Sequence, residues 1–404
     1  MDSRWSERWS RRGKIAANMS RPSRTNPEGM ISFVYGDPDA GSLPLEQMVE
    51  AAEFLAENNR RDTLAYANPV GPDGLALALA GKLKRDYDLD VTADQILLTS
   101  GASSGLGLVA DMLVDPGDII LADAPAWMGA IGMFNLAGAE VIGVEVDDEG
   151  LNPAKVEQTL DKLAAEGNQP KFLYTIPTFQ NPSGVELTLE RRKELARIAD
   201  ERGLLILEDD AYIDLRFGGE KKPTIYGLAK PGSVLLFGTL SKTIAAGLRL
   251  GWCAGPVEII AAISRGRTDS LRNTYTAALA EWYISTGKLA EHIDQLRSIY
   301  QQKCQHMLAA LEREMPAGTT WTTPQGGFFL WVTLPEGVDA VDIIGESRKQ
   351  LVDYIPGTSF YSDGSGRRSL RLSFSSVSPG EIDTGIARLA AVVKSAMPVT
   401  TNAD

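Results

Sequence analysis

The chain has 404 residues, 44% of them hydrophobic and 23% charged, with a formal net charge of −13. This is the composition of an ordinary globular protein, and its acidic balance argues against a nucleic-acid partner, which would need Lys and Arg at phosphates. No stretch of about 18 apolar residues free of charge or turn signals is present, so no membrane span is expected.

Residues 1–29, opening "MDSRWSERWSRRGKIAANMS", lack the apolar core of a secretory signal and read as a surface arm. From about 97 to 255 short apolar runs alternate with helical patterns. "ILLTS" (96–100), "DIILAD" (118–123), "EVIGVEV" (140–146), "KFLYTI" (171–176), "GLLILED" (203–209), "SVLLFG" (233–238) and "LGWCAG" (250–255) are seven strand candidates. Several are apolar on both alternating sets, as strands covered on both faces are. The helical pattern "LTLERRKELARIADERG" has Thr188 as its N-cap and Gly203 as its stop. Such alternation predicts an α/β fold with a mostly parallel, doubly wound sheet. A long helical stretch over about 276–314 follows, carrying both histidines, His292 and His306, on what is expected to be its solvated face. The strand-like pieces "GGFFLWVTLP", "LVDYIPGTSFY" and "SLRLSFS" then suggest a smaller α+β domain. The expected division is an arm (1–29), the first part of the small domain (30–60), a large domain (61–285), the rest of the small domain (286–395) and a tail (396–404).

The two cysteines, Cys253 and Cys304, form no CxxC pair or disulfide framework and suit a reducing, cytoplasmic compartment. With only two histidines, Ser-His-Asp and Cys-His hydrolysis and His-rich zinc sites lose their main reagent, and no metal site is expected. The chemistry is left to lysine, carboxylates, tyrosine or a cofactor.

Ligands of open α/β sheets bind beyond the carboxyl ends of the strands. The polar residues there are Gly101 to Ser104, Trp127, Asn181, Asp209 to Tyr212, and Thr239 to Lys242, a set able to hold an anionic aromatic cofactor. Gly101 and Ser103 open a helix, and helix N-termini bind phosphate; Thr239, Ser241 and Arg249 add hydroxyls and a guanidinium. Asp209 could pair with a protonated ring nitrogen and Tyr212 with a ring oxygen. Taken singly each has a plainer reading: serine as a helix cap, Asp209 as an N-cap, Tyr212 as packing, "NPSG" (181–184) as a turn, Lys242 as a lysine snorkelling to the sheet rim. Their coincidence at successive strand ends favours a site.

In their order, "YANPVGPDGLALALA", "TSGASSGL", "DPGDIILADAPAWMGA", "YTIPTFQNPSG", "LEDDAY", "GTLSKTIAAGLRLGW", "QGGFFLWVTLP", "IPGTSFY" and "LRLSFS" give the chain its likeness. Over about residues 30–395 it resembles the fold type I pyridoxal 5′-phosphate (PLP) enzymes of the class I/II aminotransferase family, in the branch with 2-aminoadipate and kynurenine aminotransferases. The resemblance implies a seven-stranded large domain, a smaller α+β domain, and a homodimer with shared active sites. It makes Lys242 the residue that forms a Schiff base with PLP and carries the proton through a pyridoxamine intermediate. Asp209 keeps the pyridine nitrogen protonated, Asn181 and Tyr212 hold the ring oxygen, and Trp127 stacks on the ring. Gly101, Ala102, Ser103, Thr239, Ser241 and Arg249 bind the phosphate, with Tyr66 reaching that of the neighbouring subunit. Arg371 clamps the substrate carboxylate, with Asn181 and Gly36 beside it. Asp210 competes with Asp209, but the D-x-A-Y spacing favours Asp209. The chain departs from its branch in Ala102-Ser103 for Ser-Gln, in Trp127 for Tyr or Phe, and in Tyr35 for a second glycine, which is expected to crowd the substrate side chain.

The implied activity is transfer of an amino group from an L-amino acid to a 2-oxo acid. A lyase, decarboxylase or specialised biosynthetic enzyme on the same fold is the alternative, and an aminotransferase-like regulatory domain a remote one.

Overall fold

A computed structural model describes residues 7–19, 27–66, 73–267 and 273–398. It begins with α1 (Arg11–Asn18), β1 (Ile31–Ser32), α2 (Leu45–Glu57) and α3 (Gly74–Tyr87). The alternating region comprises β2 (Ile96–Thr99), α4 (Ala102–Leu113), β3 (Ile119–Ala124), α5 (Met128–Ala137), β4 (Glu140–Asp147), β5 (Gly150–Leu151), α6 (Pro153–Ala165) and β6 (Pro170–Thr175). It continues through α7 (Leu189–Arg202), β7 (Ile206–Asp209), α8 (Ile225–Leu228), β8 (Val234–Thr239), β9 (Gly251–Ala254) and α9 (Val257–Arg265). The last part holds α10 (Thr274–Ser285), α11 (Lys288–Glu314), β10 (Thr320–Trp321), β11 (Phe329–Thr333), α12 (Ala340–Lys349), β12 (Val352–Asp353), β13 (Ile355–Pro356), β14 (Ser369–Ser373) and α13 (Pro379–Ala396).

All seven strand candidates join one sheet in the order β2-β9-β8-β7-β6-β3-β4, and the expectation of seven strands is corrected by β5, a two-residue edge that hairpins onto β4. Strand β9 runs antiparallel to β2 and β8, while β8, β7, β6, β3 and β4 pair in parallel. The double apolar pattern has its cause in two covered faces. In β8, Leu235 and Phe237 enter one core with Leu106 and Val109 of α4, whereas Val234 and Leu236 enter cores on the other face. Fully burying each such side chain contributes about 1.5–3 kcal/mol. The Thr188 hydroxyl accepts from the Arg191 amide at the start of α7, and Gly203 ends that helix in the left-handed region (φ 66°).

The single helical stretch expected over 276–314 is two helices, because the chain turns at Gly287 (φ 83°) between α10 and α11. His292 is not on a solvated face: it is buried, edge-on to the Tyr283 ring with centroids 6.1 Å apart, and burial holds its imidazole below the usual range. His306 is half-buried and bonds Asp383 at 3.0 Å. Strands β10, β11, β14 and β13 form a second, antiparallel sheet, and β1 pairs in parallel with β12. Beyond β1, the Phe33 amide donates to Asp353 O and the Ser373 amide to Phe33 O, both at 2.9 Å, so residues 33–39 leave from the C-terminal part as a strap. Among the described residues no helix is long and apolar enough to cross a membrane.

Candidate active site

The carboxyl ends of β2, β7 and β8, the loops after β3 and β6, the strap and β14 enclose one cavity of about 410 Å³. Gly36, Gly101, Ala102, Ser103, Trp127, Asn181, Asp209, Tyr212, Thr239, Ser241, Lys242, Arg249 and Arg371 all line it. Tyr66 does not: it lies on the surface, 85% exposed. Ser104, also at a strand end, lies outside the lining, and so does Asp210.

Lys242 follows β8 and is buried; its Nζ donates to Gly36 O at 2.8 Å and stands 5.7 Å from the centre of the Phe328 ring. Burial lowers its amine to about 8; the charges of Asp37 and Asp209 pull it up, and those of Arg371 and Arg249 push it down. Asp209, at the end of β7, accepts from the Tyr174 hydroxyl at 2.9 Å through Oδ2, while its buried Oδ1 has no protein partner. Burial raises this carboxyl to about 7, assisted by Asp210 and opposed by Tyr174 and Lys242. Its neighbour Asp210 faces a small pocket on the other side, with Lys82, Tyr87 and Asp214.

Arg371, on β14, lies with its guanidinium 4.1 Å from the centre of the Phe329 ring and 5.1 Å from that of Phe360. It donates to Asn181 Oδ1 at 2.8 Å and to Val34 O, leaving a buried Nε without a partner. Burial lowers even this guanidinium, to about 10. Burial raises the Tyr212 phenol, with Arg371 and Asn181 opposing the shift.

At the other end, Gly101 caps α4 with φ 91°, and a Cβ there would meet Arg249 Nη2 at 2.7 Å. Arg249 takes the left-handed region itself (φ 53°), uncommon for a side-chain-bearing residue, and reaches across to Ser100 O at 2.9 Å. The Thr239 hydroxyl bonds Ser241 Oγ at 3.0 Å and accepts from the Ser241 amide at 3.1 Å. Hydroxyls, helix amides and a guanidinium thus surround one end of the cavity, as an anion requires.

Several participants escaped sequence reasoning. Tyr174 belongs to a strand that reads only as apolar. Asp37 lines the cavity from the strap, its carbonyl fixed by the Ser375 hydroxyl at 2.6 Å. Phe329 underlies Arg371. Asp123 and Gln180 hold the Asn181 loop: Asp123 Oδ2 accepts from the Gln180 carboxamide at 2.9 Å and from the Ile176 amide at 3.1 Å. The polar ends of β3 and β6 were the available signal for that pair.

Comparison with known proteins gives the family and the fold. The family described as aminotransferase class I and II matches residues 28–389. The chain is 36% identical over 370 residues to aromatic-amino-acid aminotransferase 1 of Thermococcus litoralis, covering 91% of this chain and 89% of that one. It is 32% identical over 399 residues to the 2-aminoadipate transaminase of Thermus thermophilus, covering 96% and 97%. The crystal structure of the Pyrococcus horikoshii kynurenine aminotransferase superposes with a TM-score of 0.91 at 33% identity, covering 98% of this chain and 99% of that one.

Proposed function

The chain belongs to the class I and II aminotransferase family, and from that premise we propose how its residues share the work of moving an amino group from an L-amino acid to a 2-oxo acid. The enzyme is a transaminase of PLP fold type I, and its cofactor is pyridoxal 5′-phosphate. The cavity fits that group on its own atoms. Asp209 offers a buried, unpartnered oxygen to a ring nitrogen, and the turn at Gly101 leaves a cradle beside Arg249 that a Cβ would fill. When bound, the cofactor supplies a ring that accepts electrons from the substrate's α-carbon.

The convergence of Lys242, Asp209 and Arg371 in one cavity carries the reading. Lys242 Nζ, lowered by burial, is the covalent anchor and the base that takes the α-proton. Asp209 holds the ring nitrogen, Asn181 and Tyr212 the ring oxygen, and Trp127 covers one face. Thr239, Ser241, Arg249, the α4 amides at Ala102 and Ser103, and Tyr66 from the neighbouring subunit hold the phosphate. Arg371 binds the substrate's α-carboxylate as a fork, for which lysine is a poor substitute, and Asn181 orients it. Gly36 O accepts from the Lys242 amine, and the missing Cβ lets the strap lie against the Phe329 ring. Val34, Tyr35, Met128 and Ile355 line the remaining wall; Tyr35 narrows it, and its apolar character suits donors with apolar side chains, consistent with the relative named for aromatic amino acids.

The working unit is a homodimer. Residues 30–60 and 286–395 form its small domain, 61–285 the large one, with 1–29 as arm and 396–404 as tail; the pairing of β1 with β12 supports joining the first two segments. The two buried free thiols, Cys253 and Cys304, suit the cytoplasm. A pulse of donor amino acid without acceptor tests the reaction. One equivalent of 2-oxo acid per site and then arrest is expected, abolished in Lys242→Ala. Continued turnover releasing ammonia or carbon dioxide would overturn it in favour of a lyase or decarboxylase.

A further inference from the structure

Asp209 is held by a residue with no assigned part in the reaction. Tyr174 sits on β6, beside β7, paired in register with Leu207. It is fully buried, and its ring meets Phe134 of α5 edge-on with centroids 5.5 Å apart. Its hydroxyl donates to Asp209 Oδ2 at 2.9 Å. The opposite oxygen, Oδ1, is the buried unpartnered atom, and Asp209 lines the cavity with Lys242. We propose that Tyr174 is a positioning residue, whose hydroxyl occupies one Asp209 oxygen so that the other faces the cofactor's ring nitrogen as an ionised carboxylate.

The proposal rests on the transaminase reading above and adds a residue to it. The groups around Asp209 act in opposite directions. Asp210 beside it disfavours its charge, whereas Tyr174 on β6 and Lys242 beyond β8 favour it; Tyr212 also faces it, and Asp123 at the end of β3 faces Tyr174. Burial and neighbouring acids raise the phenol of Tyr174 well above its ordinary range, so it remains a donor throughout the working pH. Were the hydroxyl removed, the ionised carboxylate would lose a charge-assisted bond, and the proton shared with the ring nitrogen would move toward Asp209. Hydrogen bonds to charged groups correspond to roughly ten- to hundred-fold in such an equilibrium.

Tyr174→Phe keeps the ring on Phe134 and removes only the hydroxyl. With cofactor labelled by nitrogen-15 in the ring, the holoenzyme variant should show a signal shifted from the protonated toward the unprotonated position. Its kcat should fall roughly ten- to hundred-fold with the donor KM nearly unchanged. In an Asp209→Asn background the same substitution should change neither quantity. Phe134→Leu, which loosens the packing but keeps the hydroxyl, should retain the wild-type nitrogen signal. A wild-type signal and kcat in Tyr174→Phe would overturn the proposal, and so would a Phe134→Leu variant that reproduces the shift. Failure of the transaminase reading is separate, since it shows in the wild-type donor pulse.

Discussion

Lys242 lies between opposing charges, and its ionisation is the most readily tested property of the site. Its amine falls to about 8 chiefly through burial, and Asp37 is the first of the charges that raise it. A lysine reacts as the free amine, so the apoprotein should take up cofactor faster as pH rises through about 8. Asp37→Asn removes a negative charge that favours the ammonium. The midpoint of that uptake should therefore move to lower pH, by roughly one unit, as read by stopped-flow absorbance across a pH series. An unchanged or raised midpoint would show that Asp37 does not act on this amine. The same scale separates two adjacent carboxylates. Asp209 and Asp210 are indistinguishable by residue type, yet a strand reverses its side chains at each step, and only the first enters the cavity. The D-x-A-Y spacing of the family pattern favours the same residue.

Among the elements, α7 and the strap differ most in how far they could be read. Thr188 and Gly203 marked both ends of α7, because capping is satisfied by residues within one turn. The strap had no such local signal. Its course is fixed by distant partners: Asp353 and Ser373, then Ser375, then Tyr300, whose hydroxyl accepts from the Asp39 amide at 3.1 Å, and Lys303, which pairs with Asp39. This element brings Gly36 against Phe329, and a Cβ at Gly36 would lie 2.4 Å from Phe329 Cζ. Gly36→Ala must therefore displace the ring beneath Arg371. A displacement near 1 Å in a positioning group costs up to about a hundred-fold. We expect donor kcat/KM to fall roughly ten- to hundred-fold while the apoprotein's affinity for cofactor stays within about two-fold, as steady-state kinetics and fluorescence titration would show. An equal loss in both would mean that the strap supports the cofactor end as well.

At the scale of the whole molecule, the exposed position of Tyr66 is the feature that one chain leaves unexplained. Leu64 and Tyr66 are 77% and 85% exposed beside each other, a costly arrangement unless another surface covers them. If Tyr66 serves the neighbouring site, mixing Tyr66→Ala with Lys242→Ala subunits should restore one complete site per hybrid dimer, with wild-type cofactor affinity there. Sedimentation should give dimers, and hybrids no better than their parents would refute the shared site. In the arm, Trp9 is 39% exposed, and Trp5 lies outside the described residues. The sequence by itself determined the alternating sheet and the strand ends at which Lys242 and Asp209 stand, while the parts proposed for Lys242, Asp209, Arg249 and Arg371 came from the resemblance to the family. The sheet and its strand ends follow from side-chain period and from polar residues set at the close of apolar runs, which are local properties of a chain. Tertiary structure alone decided that Tyr174 donates to Asp209, that Asp37 and Phe329 line the cavity, that His292 is buried, and that Asp123 and Gln180 hold the Asn181 loop. Each of these depends on contacts between segments far apart in the chain, whose orientation is set by packing rather than by neighbours in sequence.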